Sequence, residues 1–408
     1  MQSSFLRRFA EGFALAGLIV LTGCAQKAEL TPNRWSTHLA GVERVNISLD
    51  PVKLPVAVAW SKDVSDFSIL RSHPKGQMSS PLIYDGVLYV GSTDSTLSAV
   101  DLSTGRVKWD FDAGYPIEAT ASVGEGMVCF GSLDGVLRCL EAADGRLIWQ
   151  FQAKSEILSA PVIKDSTVYF SSSDDRVYAL SAKNGEKKWV YNRTTFQSVS
   201  PRIYGSAAYH NGRLYQFFSD GFVVAIEAEN GRELWKRQAV KVFNSHENIR
   251  RTPLVANSMV YVIDDDRAVV ALDPDTGEIK KSYQAVRTSD FIIPDKRTLI
   301  AAGTDRVVAY DMVSGTVLWE RETQYKPLHS IFGAENTVFL LSNYTWKPLG
   351  MDWFSSERGR IEAISLKDGQ MLWSRRLKST ISANGSTGQS RVSLFTDAGI
   401  LQVFEPED

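Results

Sequence analysis

A glycine followed four residues later by a tryptophan recurs along most of this 408-residue chain, at intervals of about 40 to 50 residues. An acidic residue stands four positions before most of the repeated glycines, as at Asp101 and Glu141. Such a period indicates that one supersecondary unit is repeated and that each copy packs against the next. The complete copies are Gly105/Trp109, Gly145/Trp149, Gly185/Trp189, Gly231/Trp235, Gly315/Trp319 and Gly369/Trp373, and a degenerate copy is Gly277/Lys281.

The interior of each repeat is typical of short strands joined by tight turns. In the first complete repeat, β-rich segments at residues 81–84, 87–91, 96–101 and 107–111 are separated by turn-forming residues. No stretch keeps a helical period over about a dozen residues. Four such strands form an antiparallel meander, which is the blade of a β-propeller. The sequence therefore predicts an all-β fold of four-stranded antiparallel blades.

The repeated glycine and tryptophan have a mechanical explanation. An acidic side chain accepts hydrogen bonds from backbone amides two residues on, and glycine adopts the positive φ that a sharp turn requires. The indole then falls on the fourth strand, where it fills the gap to a neighbouring blade. Burial of one indole removes roughly 150–250 Å² of surface from water. This contributes about 4–6 kcal/mol to the free energy of folding, before the loss of conformational entropy is subtracted. The predicted structural tryptophans are Trp60, Trp109, Trp149, Trp189, Trp235, Trp319 and Trp373.

Two fragments at the ends of the repeat region complement each other. Trp60 lacks the strands that should precede it, whereas residues 391–408 contain two or three strands and no tryptophan after them. A blade that combines the two, with residues 56–61 as its outer strand, removes the exposed edges that either fragment would have alone. Seven glycine-marked blades and this composite blade predict an eight-bladed β-propeller over residues 56–408.

The first residues have the order of an export signal. Arg7 and Arg8 precede an apolar run at residues 13–21, which is too short to span a bilayer. The run leads into Leu-Thr-Gly-Cys at residues 21–24, which resembles the cleavage box of bacterial lipoproteins.

This resemblance implies a signal peptide over residues 1–23, a lipid on Cys24 and a flexible tether over residues 24–55. Ala25, directly after the cysteine, favours release to the outer membrane in this class of lipoprotein. An ordinary signal peptide with an incidental cysteine is the alternative.

The two remaining cysteines, Cys129 and Cys139, lie on successive predicted strands of one hairpin, with Asp134 and Gly135 at its turn. An exported protein can pair such cysteines, but a one-residue change of register would put them on opposite faces of the sheet. Two buried thiols are the favoured interpretation, and a disulfide is the alternative.

The repeats at residues 99–109, 271–281 and 309–319 resemble those of eight-bladed propellers related to pyrroloquinoline-quinone dehydrogenases. The resemblance covers nearly all of residues 56–404. Within this superfamily, the lipoprotein box, the short tether and the single propeller are most similar to the BamB-like lipoproteins of the outer-membrane β-barrel assembly machine. That likeness implies a non-catalytic scaffold, anchored in the outer membrane and facing the periplasm. Its implied partners are the periplasmic domains of the central barrel-inserting subunit and other assembly lipoproteins.

A quinoprotein dehydrogenase is the first alternative, because such enzymes share the repeat. They hold their cofactor beneath two adjacent disulfide-bonded cysteines and beside calcium, whereas this sequence has no Cys-Cys pair. Residues 273–278 superficially resemble a calcium loop but coincide with the repeat turn. No nucleophile–base pair or zinc-ligand spacing is visible. We therefore expect no enzymatic activity, no cofactor and no metal.

A net charge of −2 provides no electrostatic argument for nucleic-acid binding. A surface lipoprotein that binds another protein or a polysaccharide is the second alternative function.

Three segments interrupt the regular repeat, at residues 192–212, 239–253 and 342–360. All three should emerge on one face of the propeller, and loops on a rigid scaffold often carry binding residues. The first corresponds to the connection where BamB-like proteins carry partner-contacting Leu and Arg residues, but it lacks their Leu-x-Leu-Arg run. The third is either a partner site or a plug over the propeller mouth. The candidate partner-binding residues are Arg193, Phe196, Arg202, Tyr204, Phe243, Arg250, Arg251, Trp346, Trp353 and Phe354.

Overall fold

The computed structural model describes residues 40–41, 43–64, 76–193, 205–241, 251–323, 328–347 and 355–407. The secondary-structure elements in these ranges are β-strands. Numbered along the chain, the strands are β1 (Ile47–Ser48), β2 (Val56–Asp63), β3 (Leu82–Tyr84), β4 (Val87–Gly91), β5 (Thr96–Asp101), β6 (Val107–Asp112), β7 (Ser122–Gly124), β8 (Met127–Gly131), β9 (Val136–Glu141), β10 (Leu147–Gln152), β11 (Val162–Lys164), β12 (Thr167–Ser172), β13 (Arg176–Ser181), β14 (Lys187–Asn192), β15 (Ala208–His210), β16 (Arg213–Phe217), β17 (Phe222–Glu227), β18 (Glu233–Gln238), β19 (Leu254–Ala256), β20 (Met259–Ile263), β21 (Val269–Leu272), β22 (Ile279–Tyr283), β23 (Asp290–Ile292), β24 (Thr298–Ala302), β25 (Arg306–Asp311), β26 (Val317–Glu322), β27 (Leu328–Ala334), β28 (Thr337–Trp346), β29 (Ser356–Ser365), β30 (Met371–Arg376), β31 (Ser386–Gly388), β32 (Arg391–Phe395) and β33 (Ile400–Pro406).

Eight antiparallel four-stranded sheets form the blades of a β-propeller. Blades 1 to 7 each consist of four consecutive strands: β3–β6, β7–β10, β11–β14, β15–β18, β19–β22, β23–β26 and β27–β30. Blade 8 combines β31–β33 with β2. The predicted all-β, eight-bladed fold is confirmed.

The two ends of the repeat region close the ring. β2 runs antiparallel to β33, with Val56 opposite Pro406, and is the outer strand of blade 8, as the complementary fragments predict. Because this composite blade has no glycine turn between its third and fourth strands, Trp373 of blade 7 packs differently from the other indoles. It lies edge to face with Phe404 of β33, with 6.2 Å between the ring centroids.

The core lies between the blades. Every residue of β8 is buried, whereas the outer strand β10 alternates between exposed and more buried positions. One core cluster joins Leu137 of blade 2 to Val168 and Phe170 of blade 3. A sheet covered on both faces needs apolar side chains on both faces, which explains the nearly continuous apolar runs of the second and third strands.

Most indoles pack on the glycine turn of the next blade. Trp149 Nε1 donates to the carbonyl oxygen of Ala182 at 2.8 Å, and a Cβ on Gly185 would lie only 2.6 Å from the indole Cε3. Gly185 also has a φ of +71°. The glycine is thus required by the turn and by the indole of the preceding blade. Equivalent pairs of contacts are made by Trp60, Trp109, Trp189, Trp235 and Trp319.

Blades 5 and 6 are joined differently, because Lys281 stands where other blades have tryptophan. Its Nζ donates to the carbonyl oxygen of Met312 at 2.5 Å, and Met312 occupies the position of the indole acceptors in the other blades. A Cβ on Gly315 would meet no atom within 4 Å. The lysine therefore keeps the hydrogen bond between the blades but leaves the space of the ring open.

Cys129 of β8 and Cys139 of β9 lie opposite each other, with their Cα atoms 4.1 Å apart, and form a disulfide. The two free thiols that the sequence favours are therefore not present in the structure. The reason is the register of the hairpin, which places both side chains on one face of the sheet. Both cysteines are fully buried and belong to the core cluster between blades 2 and 3.

The ring has two distinct faces. The connections between blades, and the hairpins between second and third strands, lie on one face, the connection face. The hairpins between first and second strands lie on the opposite side together with the glycine turns, and this side is the glycine-turn face. β2 begins and β33 ends on the glycine-turn face, because they pair antiparallel with Val56 opposite Pro406.

Candidate interaction site

Residues 43–50, the axial segment, cross the centre of the ring. The first strands of neighbouring blades contact each other and line the axis. Val255, in the first strand of blade 5, donates its N–H to the carbonyl oxygen of Glu43 at 2.9 Å. On the other side of the axis, β1 pairs in parallel with β27 of blade 7, with Ile47 opposite Gly333. The axis of this propeller is therefore occupied by the chain itself.

Arg44 lies in the axial segment and has no exposed surface. Its Nε donates to the carbonyl oxygen of Ala207 at 2.9 Å, and its Nη2 donates to those of Ala160 at 3.1 Å and Pro161 at 3.3 Å. These carbonyls directly precede the first strands of blades 4 and 3. A guanidinium has five donors and no acceptor, so an axis lined by carbonyl oxygens suits it. Because an unpartnered buried charge is costly, these contacts hold the segment in place.

Polar contacts also hold both ends of the axial segment. Glu43 Oε1 lies 2.7 Å from His210 Nδ1, and Asp50 Oδ2 accepts a hydrogen bond from the Gln389 N–H at 2.8 Å. His210 and Gln389 belong to hairpins between first and second strands, so both ends lie on the glycine-turn face. The last part of the predicted tether, residues 24–55, is thus packed in the ring from residue 43 onward.

Two predicted partner-binding arginines flank one hairpin of blade 4 on the connection face. Arg193, at the end of blade 3, pairs with Asp220 at 2.5 Å between Nε and Oδ2, and its Cζ lies 4.4 Å from the ring centroid of Phe222. Arg251, just before blade 5, has its Cζ 5.2 Å from the ring centroid of Phe217. The structure therefore places Arg193 and Arg251, one from each of the first two interrupting segments, against the hairpin at residues 217–222.

Arg193 offers little side-chain surface to a partner, whereas Arg251 is partly exposed. The side chain of Arg193 is only 12% exposed, because the carboxylate of Asp220 and the aromatic rings of the hairpin cover it. Arg193 therefore positions the hairpin. Asp220 and Phe222 were not among the site residues predicted from the sequence. The available signal was the pair of aromatic residues, Phe218 and Phe222, around an Asp-Gly turn.

The hairpins of blades 3 and 4 are joined through Asp175. Its carboxylate accepts hydrogen bonds from the Ser219 N–H at 3.0 Å and from the Ser219 hydroxyl. Burial raises the pKa of Asp175 above the usual range of an aspartate, and the bonds from Ser219 oppose that shift. A cavity of about 20 Å³, lined in part by Ser171 and Gln216, lies beside it and has room for a single water molecule. This junction is tightly packed and is no binding cleft.

The third interrupting segment begins as a regular hairpin. β28 and β29 pair over their full length, from Thr337 opposite Ser365 to Trp346 opposite Ser356, and so extend beyond the strands beside them. The ends of β28 and β29 that extend beyond their neighbours form the arm of blade 7. At the end of this arm the guanidinium of Arg358 stacks on Trp346, with 3.6 Å from Cζ to the ring centroid. Trp346 is partly exposed and is held on the connection face by this contact.

The other predicted site residues lie outside the described part of the chain. They are Cys24, Phe196, Arg202, Tyr204, Phe243, Arg250, Trp353 and Phe354. Among the described residues, no group of His, Cys, Asp and Glu could hold a metal ion. In the same ranges, no helix has the length and apolar character needed to cross a bilayer.

A groove of about 630 Å³ lies between blades 3 and 4 on the glycine-turn face. Several of its polar side chains are paired with one another. Arg232 pairs with Glu227 at 3.1 Å, and the Tyr209 hydroxyl donates to Asp165 Oδ2 at 2.7 Å. Burial, and then the bond to Asp165, raise the pKa of the Tyr209 hydroxyl far above its usual range. Tyr209 is therefore fixed as a neutral donor and is not poised as a base.

Known proteins identify the family of this chain and share its fold. A family model described as Outer membrane protein assembly factor BamB matches residues 111–247, 197–293 and 280–403. Comparison with curated protein sequences gives no significant match.

Solved structures with this architecture have diverse descriptions. BamB from Moraxella catarrhalis is 17% identical with a TM-score of 0.64, over 86% of this chain and 100% of that one. A quinohemoprotein alcohol dehydrogenase from Comamonas testosteroni is 14% identical with a TM-score of 0.70, over 92% and 82%. The computationally designed Ika8 protein is 15% identical with a TM-score of 0.63, over 82% and 97%. At these identities, what is shared is the fold.

Proposed function

Because this chain belongs to the family of the outer membrane protein assembly factor BamB, we propose that it is a non-catalytic scaffold in the assembly of outer-membrane β-barrel proteins. In this proposal Cys24 carries the lipid that anchors the chain in the outer membrane, and the propeller lies in the periplasm. The connection face docks the periplasmic domains of the central barrel-inserting subunit.

The main support for a scaffold without enzymatic activity is that the axial segment occupies the centre of the ring. The central channel of a propeller is a concave space suited to a small ligand. Here Arg44 and β1 fill it, and a cofactor at the axis would have to break three guanidinium–carbonyl hydrogen bonds and the pairing with β27. This arrangement favours a ring that works through its outer surfaces.

The residues on the connection face support the proposal that this face docks a protein partner. Arginine and aromatic side chains dominate the energetics of protein interfaces, and Arg251 beside the blade 4 hairpin and Trp346 and Arg358 on the arm of blade 7 are partly exposed. Arg251 and Trp346 are the described residues proposed to contact the partner. Arg193 is proposed to hold the hairpin between the two loops, since its guanidinium is already bonded to Asp220.

The test is co-purification of the intact lipoprotein, extracted in mild detergent, with the barrel-inserting subunit. We expect Arg251→Ala and Trp346→Ala each to weaken the association about tenfold, which corresponds to about 1.4 kcal/mol. Arg232→Ala, on the glycine-turn face, is the matched control and should leave binding unchanged. Thermal unfolding of each variant separates loss of contact from loss of fold. Absence of the subunit from wild-type preparations would overturn the proposal, as would equal binding by all variants.

A quinoprotein dehydrogenase is the competing function, because the propeller superposes on a quinohemoprotein alcohol dehydrogenase with a TM-score of 0.70. A ligand that binds the native state raises the unfolding temperature by mass action. We expect pyrroloquinoline quinone with calcium to leave that temperature unchanged. A saturable rise together with a visible absorbance band on the protein would favour the enzyme instead.

A further inference from the structure

The glycine turn of blade 6 differs in charge from its equivalents. Residues 312–319, Met-Val-Ser-Gly-Thr-Val-Leu-Trp, contain no charged side chain, whereas the corresponding eight residues of every other glycine-marked blade contain at least two. The preceding acidic residue, Asp311, is paired with Arg297 at 2.6 Å between Oδ2 and Nε. This turn is therefore apolar at a place where the other blades are charged.

Five aliphatic side chains are exposed around this turn and the adjacent end of blade 7. Val313 is 73% exposed, Leu318 52% and Leu372 49%, and Val317 and Met371 are also exposed. These five residues form the apolar rim. They lie at the glycine-turn end of β26 and β30 in neighbouring blades. The position of Val317 and Met371 is also apolar and exposed in blades 1, 2 and 5, at Val107, Leu147 and Ile279, so the rim is distinguished by Val313, Leu318 and Leu372. Blade 3 has two lysines at the positions of Val317 and Leu318, so exposed apolar residues are not a requirement of the fold.

The first described part of the chain meets the ring on the same face. Glu43 contacts His210 in a hairpin of the glycine-turn face, and Ala40 is buried in the core cluster that contains Val52 and Val56. Fifteen residues separate Cys24 from Ala40, and they span at most about 50 Å when fully extended. A lipid on Cys24 would therefore keep the glycine-turn face close to the bilayer.

We propose that the apolar rim inserts into the surface of a lipid bilayer and forms a second membrane attachment beside the lipid on Cys24. This inference rests on the lipid anchor of the proposed function. Apolar side chains on a membrane-facing surface are buried at the boundary between headgroups and acyl chains, and binding strengthens with the apolar area buried. The five rim residues are uncharged and apolar, as is the membrane-facing side of an interfacial element, which favours lipid over a charged protein surface. The contact orients the connection face away from the membrane, toward periplasmic domains.

The test uses the full-length lipoprotein in phospholipid vesicles and a fluorophore attached at one introduced cysteine. Ser314→Cys places the probe within the rim's turn without altering the five rim residues. Asn184→Cys is the matched control, because Asn184 holds the same position before the glycine in blade 3. The native Cys129 and Cys139 are bonded and buried, so neither takes the label. With brominated lipids we expect at least about a twofold loss of fluorescence at position 314 and none at position 184.

A charged rim supplies the second measurement. Leu318→Glu combined with Leu372→Glu should abolish the quenching at position 314 while flotation with vesicles persists through the lipid. Flotation of the wild type without quenching would overturn the rim contact alone, whereas failure to float would overturn the lipid anchor and the rim together. A doubled mass in detergent that the charged variant reduces to one chain would assign the rim to a second copy, and would also overturn the proposal.

Discussion

Replacing Gly145 by alanine is expected to destabilise the protein more than replacing Gly315 by alanine. The two glycines occupy the same turn position and have nearly equal φ values, +75° and +77°. Each alanine therefore pays the same cost of a left-handed backbone, about 1–2 kcal/mol. Only Gly145 faces an indole, and a Cβ there would lie 2.6 Å from Cδ2 and Cε3 of Trp109.

The size of the difference follows from the packing of Trp109. Trp109 is only 8% exposed and its Nε1 donates to the carbonyl oxygen of Ala142 at 3.1 Å, so the indole cannot move aside without losing contacts. Overpacking of this kind costs about 1–3 kcal/mol. We therefore expect losses of about 2–5 kcal/mol for Gly145→Ala and about 1–2 kcal/mol for Gly315→Ala, from the sum of these two costs.

The assay is urea unfolding of both variants, followed by intrinsic tryptophan fluorescence and compared at a common m-value. A double-mutant cycle isolates the contact, since Gly145→Ala in a Trp109→Ala background should cost no more than Gly315→Ala. Equal losses for the two single variants, or an unchanged cost in the Trp109→Ala background, would refute the view that an indole on each glycine joins the blades.

Three further outcomes follow from the same contacts. Lys281→Trp should raise the free energy of unfolding by about 1 kcal/mol, because an indole can occupy the open space beside the next turn; a lower midpoint in urea unfolding would contradict this. Arg44→Ala should lower stability by about 2–4 kcal/mol, because it strands buried carbonyls at the axis; thermal unfolding measures the loss, and an unchanged melting temperature would contradict it. Hydrogen bonds from Ser103 and Thr104 lower the pKa of Asp101 to about 2. Its carboxylate therefore stabilises the fold above the unfolded pKa, and this contribution is lost as pH falls through about 2. Asp101→Asn should be less stable than the wild type near neutral pH and converge with it toward about pH 2 in urea titrations; a constant gap would count against this turn contact.

The architecture could be predicted because its cause is local and repeated. Each glycine turn requires a positive φ, and each indole fills one gap between blades, so the same residue types recur at one spacing. The composite blade followed from the same logic, since Trp60 had no strands before it and β33 had no fourth strand after it. The exposed edge of either fragment required the other.

Contacts made by single residues with distant blades could not be predicted in this way. The axial segment is eight residues long and bonds to blades 3, 4, 5, 7 and 8 largely through backbone carbonyls and amides. Such a segment has no alternation of its own, so residues 43–55 read as part of a tether. The pairing of Arg193 with Asp220 likewise joins two blades and depends on the loop paths between them.

The cysteine pair shows how narrow the sequence evidence was. Whether Cys129 and Cys139 share a face depends on a single residue of register, and the turn of that hairpin does not fix the register by composition alone. Likewise, Arg251 was predicted as part of a basic cluster, but its position over Phe217 became visible only once the hairpin was placed.

The route of the axial segment determines how mechanical load enters the molecule. Tension applied at the N-terminal end reaches the hub, where Arg44 and β1 are bonded, before it reaches the closing strand β2. The contacts of Arg44 and β1 therefore bear this tension first and protect the pairing of β2 with β33 from it. A chain truncated from its N-terminus through the axial segment would lose these contacts, and the tension would then act directly on the pairing of β2 with β33.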